Sequence, residues 1–66
     1  VIIYVNGEER ELPDGATLRV LVEHLGLAEK ACAAEVNQQL VPRSNHGNCV
    51  LAPSDRVEIV TLVGGG

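Results

Sequence analysis

Val1-Ile2-Ile3-Tyr4-Val5-Asn6-Gly7-Glu8-Glu9-Arg10-Glu11-Leu12-Pro13-Asp14-Gly15 opens the chain, and its reading decides the fold. Val1 to Val5 is a β-branched and aromatic run of the kind that suits a pleated, half-buried surface. Asn6-Gly7 follows it, and a two-residue type I′ turn needs positive φ at both central positions, which these residue types tolerate. The stretch therefore predicts a β-hairpin. Its second strand is expected from about Glu9 to Leu12, ending at Pro13-Asp14-Gly15, where proline pre-sets φ, aspartate bonds local backbone and glycine takes a left-handed position.

Beyond the hairpin the period changes from two to 3.6. Thr17 is placed to cap a helix, and Leu18, Leu21, Val22 and Leu25 fall at i, i+3, i+4 and i+7, all on one face. Gly26 supplies the left-handed stop, and His24 sits near the helix end, where positive charge suits the dipole. The alternation of Cys32, Ala34 and Val36 against Ala33 and Glu35 predicts a third strand. Asn37-Gln38-Gln39 reads as a polar turn, Leu40-Val41 as a short strand and Pro42 as its end, because proline cannot donate to a ladder. Ser44 to Asn48 reads as a loop or a single helical turn. Pro53-Ser54-Asp55 makes a further turn, and Arg56 to Val63 is the last strand, with Val57, Ile59 and Thr61 on one side and Glu58, Val60 and Leu62 on the other. The order ββαβ(β)β with one main helix is an α+β, β-grasp arrangement: a mixed sheet of four to five strands over one amphipathic helix. A single domain over residues 1–66 is expected, with 63–66 a flexible tail.

Composition sets the limits. A chain of 66 residues buries only about 60% of its unfolded surface, so its core must be economical. With no Phe, no Trp and one Tyr, that core is built from aliphatic layers. We expect Val1, Ile3, Val5, Leu18, Leu21, Val22, Leu25, Val36, Val57 and Ile59 in it. A formal net charge of -4 has the wrong sign for a nucleic-acid backbone or an anionic membrane. No apolar run reaches the roughly 20 residues of a spanning helix and no signal-peptide pattern opens the sequence, so a cytoplasmic location is expected. Cys32 and Cys49 lack the spacing of a disulfide framework or zinc site and read as small buried hydrophobes. His24 and His46 carry no motif that singles them out, and the acidic residues Glu8, Glu9, Glu11 and Asp14 lack the spacing of a metal loop.

Chemistry is expected at the end of the sequence. Gly64-Gly65-Gly66 follows a strand without a side chain to pack, and glycine loses the most entropy on ordering. Such a strip suits passage through a narrow channel into another protein's site, and its functional group is the Gly66 carboxylate, inert until activated, for example as an acyl adenylate. This makes the tail a substrate and assigns the chain no catalytic residue of its own. Glycine runs also serve as linkers or remain from expression vectors; a linker has something after it, whereas this run ends the sequence.

The opening strand with Asn6-Gly7, the segment Val36-Asn37-Gln38-Gln39-Leu40-Val41-Pro42-Arg43-Ser44, and Asp55-Arg56-Val57-Glu58-Ile59-Val60 with Val63-Gly64-Gly65-Gly66 resemble the ThiS family, the ubiquitin-like sulfur carriers of thiamine thiazole biosynthesis. The Val-Pro-Arg segment is the most discriminating of these, since a terminal Gly-Gly is shared with ubiquitin-like modifiers and with the small subunit of molybdopterin synthase. The resemblance implies a cycle. A ThiF-type enzyme, using its own ATP and magnesium, adenylates Gly66; a persulfide from a sulfur donor protein replaces the adenylate and leaves a thiocarboxylate; a ThiG-type thiazole synthase then takes the sulfur. The chain itself would bind no cofactor and no metal. Two departures from the family pattern affect loop shape: Pro53-Ser54 where an Asp-Gly type turn is usual, and His46-Gly47 where a bulkier residue and alanine are common. The alternatives are a carrier for molybdopterin, a modifier conjugated to lysines, and an interaction domain with an incidental tail.

With one sheet face on the helix, Ile2, Tyr4, Val60 and Leu62 are left on the outer face. Exposed apolar groups on adjacent strands mark a protein interface, and the expectation is that both partner enzymes dock there with Gly64, Gly65 and Gly66 directed into their sites. Arg43 and Arg56 are candidates for polar contacts at its rim.

Overall fold

A computed structural model describes residues 1–28, 30 and 32–61. In chain order it contains β1 (Ile2–Val5), β2 (Glu8–Glu11), α1 (Leu18–His24), β3 (Cys32–Val36), β4 (Gln39–Leu40), a 3-10 helix (Arg43–Asn48) and β5 (Arg56–Thr61). The sheet is five-stranded in the order β2-β1-β5-β3-β4. β1 and β5 are parallel, and the other pairings are antiparallel, which makes the sheet mixed. The β-grasp order read from the sequence is therefore present, with the last strand in the middle.

Asn6 and Gly7 take φ of 50° and 85°, the two positive values the hairpin turn needs. β2 starts one residue earlier than expected and ends at Glu11; Leu12 beyond it still bonds to the Val1 carbonyl through its N–H, at 2.8 Å, and turns its side chain into the core at 4% exposure. Helix α1 is capped by the Thr17 hydroxyl, which accepts from the Val20 N–H at 3.3 Å. At its other end Gly26 turns left-handed at φ +73°, so that the Gly26 N–H reaches the Glu23 carbonyl and the Leu27 N–H that of Val22, each at 3.0 Å. These two bonds form a Schellman closure and satisfy carbonyls that the helix end would orphan. His24 is the exposed last residue of α1.

The core contains Ile3, Val5, Leu12, Ala16, Leu18, Leu21, Val22, Ala34, Leu51, Val57 and Ile59. Of the residues expected there, Val1, Leu25 and Val36 are only half-buried and pack against its edge. Leu51, at 2% exposure, was not expected: it follows the exposed Val50 in a segment without strand periodicity. It is drawn inward because its N–H bonds to the Ala16 carbonyl, at 2.9 Å, tying this segment to the start of α1. The two cysteines are half-buried and not fully enclosed. β4 lies one residue before its expected place, since Asn37 and Gln38 alone make the turn, at φ of 51° and 70°. Ser54, in the turn before β5, also takes positive φ, 68°. The expected extension of β5 through Leu62 and Val63, and the tail after it, lie outside the described residues.

Candidate functional site

Pairing in the sheet arranges its outer face in rows. Tyr4 stands opposite Glu9 on β2 and Arg56 on β5; Glu58 stands opposite Glu35, which in turn faces Leu40; Val60 stands opposite Ala33. Ile2 is 45%, Leu40 66% and Val60 60% exposed, while Tyr4 is half-buried with the Arg56 guanidinium 5.4 Å above its ring centroid. Arg56 thus covers an aromatic ring on this face, a cation–π contact.

The register divides the expected apolar patch. Because β1 and β5 run parallel with Tyr4 beside Arg56, Ile2 lies two residues before that row and Val60 four residues beyond it. At about 3.3 Å per residue the two side chains stand roughly 20 Å apart along the strands, with Arg56 and Glu58 between them. Ile2 and Tyr4 form one apolar group and Val60 with Ala33 another, on the end from which β5 leads to the tail; Leu40 lies on the edge strand in the row of Glu35 and Glu58. Adjacent strands could be inferred from the sequence, but their stagger could not. Leu40 was missed as an outer residue because the turn before it was read one residue too long. Leu62, Gly64, Gly65 and Gly66 lie outside the described residues.

Arg43 does not join the rim of this face. Its guanidinium donates to the carbonyl oxygens of Ala28 and of Lys30, the latter at 3.2 Å, and so fastens the 3-10 helix to the loop after α1. His46 is buried at 5% exposure, and its Nε2 donates to the Val41 carbonyl at 3.0 Å. A hollow of about 590 Å³ between α1 and the 3-10 helix is lined by both residues and by Arg19 and Glu23, which face each other at 3.7 Å. Arg43 and His46 are thus engaged with backbone, and Arg19 and Glu23 with each other. Burial, and secondarily the Asp55 carboxylate, push the Cys49 thiol up from its ordinary value, which keeps it protonated and weakly nucleophilic. Among the described residues no three His, Cys, Asp or Glu side chains converge as metal ligands, and no helix is long and apolar enough to cross a membrane.

The side chains of two asparagines act on β5. Asn6 Nδ2 donates to the Ile59 carbonyl at 3.1 Å, and Asn6 Oδ1 accepts from the Ile59 N–H at 2.9 Å. Asn37 Oδ1 accepts from the Arg56 N–H at 3.0 Å, while its Nδ2 donates to Asp55 Oδ1, also at 3.0 Å. Both were legible as turn formers; their second use was not, because the partners are as far as 53 residues away in sequence.

Comparison with known proteins gives this architecture a family. A thiazole synthase of Paramagnetospirillum magneticum is 34% identical over 64 residues, 97% of this chain but only 20% of that protein. The chain thus spans about a fifth of that relative's length. The protein ycf40 of Porphyra purpurea, itself described as uncharacterized, is 32% identical over 66 residues, covering 100% of this chain and 93% of the other. Among solved structures, the thiamine biosynthesis protein ThiS from Geobacter metallireducens superposes with a TM-score of 0.78 at 26% identity, with 100% of both chains covered. The ThiS family model matches residues 3–66, from β1 through the final glycine. The chain belongs to the ThiS family.

Proposed function

We propose that the chain is a sulfur carrier of thiamine thiazole formation and that Gly66 bears the sulfur. The observation that carries this reading is the reach of the family match, which runs to residue 66 and so takes in the glycine tail together with the folded part. An incidental linker or vector remnant would have no place in such a match. The partners are those that the family resemblance implies. A Gly66 carboxylate oxygen attacks the α-phosphate of ATP in a ThiF-type enzyme with its magnesium, releasing pyrophosphate. The terminal sulfur of a donor's persulfide then attacks the acyl carbon and AMP leaves; a thiol cleaves the resulting acyl disulfide, and the thiocarboxylate remains. A ThiG-type thiazole synthase is the acceptor. A relative named thiazole synthase in which the matching segment is 20% of the length supports that acceptor over one in molybdopterin synthesis.

The two apolar groups of the outer face then have different tasks. Five residues follow Thr61, and fully extended they reach at most about 18 Å. A partner receiving Gly66 must therefore contact the end of the sheet carrying Val60 and Ala33, with Leu62 following by sequence. Ile2 and Tyr4 extend the contact to the other end. Intact-protein mass spectrometry after incubation with ATP, a ThiF-type enzyme and a sulfur donor tests the carrier reading. The expected result is a gain equal to the difference between sulfur and oxygen, absent when Gly66 is deleted; an unchanged mass with an enzyme active on its own carrier would overturn it. In the same assay Val60→Asp should raise KM for the carrier more than Tyr4→Asp does, and the reverse order would place the main contact at the far end.

A further inference from the structure

On its β3 side β5 is paired from Val57, opposite Val36, to its last residue Thr61, opposite Cys32. On its β1 side the backbone ladder is shorter. The Tyr4 N–H reaches the Asp55 carbonyl at 2.9 Å and the Asn6 N–H that of Val57 at 2.8 Å, after which the Asn6-Gly7 turn carries β1 away. The next two groups on that edge, the N–H and C=O of Ile59, would lose their strand partner here. The Asn6 carboxamide takes both, at 2.9 and 3.1 Å. A primary amide presents one acceptor and one donor in a plane, as a strand residue does, so this side chain adds a rung that the backbone cannot supply. The rung lies two residues before Thr61 and seven before Gly66.

We propose that Asn6 is a positioning residue for the terminal carboxylate: its carboxamide fixes the β1-side edge of β5 at Ile59 and so, together with the β3 ladder on the other edge, orients the strand end at Thr61 that presents Gly66 to a partner's active site. Asn6 serves at once as a left-handed turn residue, at φ 50°, and as the final rung of the parallel pair. Glycine fills the first role as well and cannot fill the second. Aspartate keeps an acceptor for the Ile59 N–H but sets a carboxylate against the Ile59 carbonyl. The proposal rests on the carrier reading, because it concerns how the tail is delivered.

The test uses Asn6→Gly and Asn6→Asp in the intact chain, with two readouts. Amide hydrogen exchange at Ile59 should accelerate about tenfold in Asn6→Gly, as expected when the Ile59 N–H loses its acceptor, while Ile3 and Val57 stay protected. Activation by the ThiF-type enzyme should lose about tenfold in kcat, roughly 1.4 kcal/mol of transition-state stabilisation, with KM within about twofold of wild type because the outer face is unchanged. Asn6→Asp should show both effects. Faster exchange at Ile59 with wild-type kcat would reduce Asn6 to a structural residue and overturn the proposal alone, and unchanged exchange would overturn it by removing the rung. A wild-type chain that gains no sulfur would sink the carrier reading, and this proposal with it.

Discussion

The two hairpins flank β5 by different means. β1 and β2 share four paired positions, and β1 sends Ile3, at 0% exposure, and Val5, at 5%, into the core. β3 and β4 share only two paired positions, and the buried residue β3 contributes is Ala34. What β3 has instead is its five-position antiparallel ladder with β5, where β1 has two positions in a parallel one. One hairpin is held by the bulk of its side chains, the other by its backbone. Their turns differ in the same sense: Asn6-Gly7 uses residue types that accept positive φ, whereas Asn37-Gln38 places a long side chain at φ 70° and relies on the Asn37 carboxamide bonded to Arg56 and Asp55.

Substitutions can break this contrast. The largest expected effect is Ile3→Ala, which should lower unfolding free energy by about 3 kcal/mol through lost burial and the cavity left behind. Chemical denaturation measures it; a loss under about 1 kcal/mol would mean that β1, like β3, is held chiefly by its ladder. Asn37→Gly keeps the left-handed turn and removes only the carboxamide, so a loss of about 1 kcal/mol is expected. An unchanged denaturation midpoint would show that the second turn does not depend on that side chain. The smallest effect has the opposite sign. Gln38→Gly relieves a strained φ but loosens the unfolded chain, and a net gain of about 0.5 kcal/mol is expected; a loss would mean that the Gln38 side chain contributes in a way its exposure does not suggest.

This contrast also explains what could be read in advance. The first hairpin, α1 and the inward positions of β5 were legible because each announces itself by periodicity or a turn pair within a few residues. Ile3, Leu18, Leu21, Val22, Val57 and Ile59 are buried as the patterns require. Leu51 and Ala34 were missed for different reasons: Leu51 is buried by its place beneath a loop, and alanine is too small to mark a face. Placement of the outer apolar residues failed at a specific point, since a parallel pair joined through the whole length of the chain has no local turn to fix its register. Val60 and Ile2 read from the sequence as one outer patch, and the register sets them six residues apart along the strands. The role proposed for Gly66 rests on resemblance to a family, because a carboxylate on glycine has no neighbouring side chain to advertise it.

The central place of β5 has a consequence for how the molecule is made. In the order β2-β1-β5-β3-β4, among the described residues nothing but β5 joins the two hairpins within the sheet. β5 follows both hairpins in sequence, so each must wait, unjoined, until residues 56–61 have been made. A product cut short before Arg56 would lack the middle of its sheet and expose the apolar edges of both halves, a species for proteases to remove. The strand that closes the fold also stands just before Gly64-Gly65-Gly66 in sequence, so the sheet can first close as those glycines are being added.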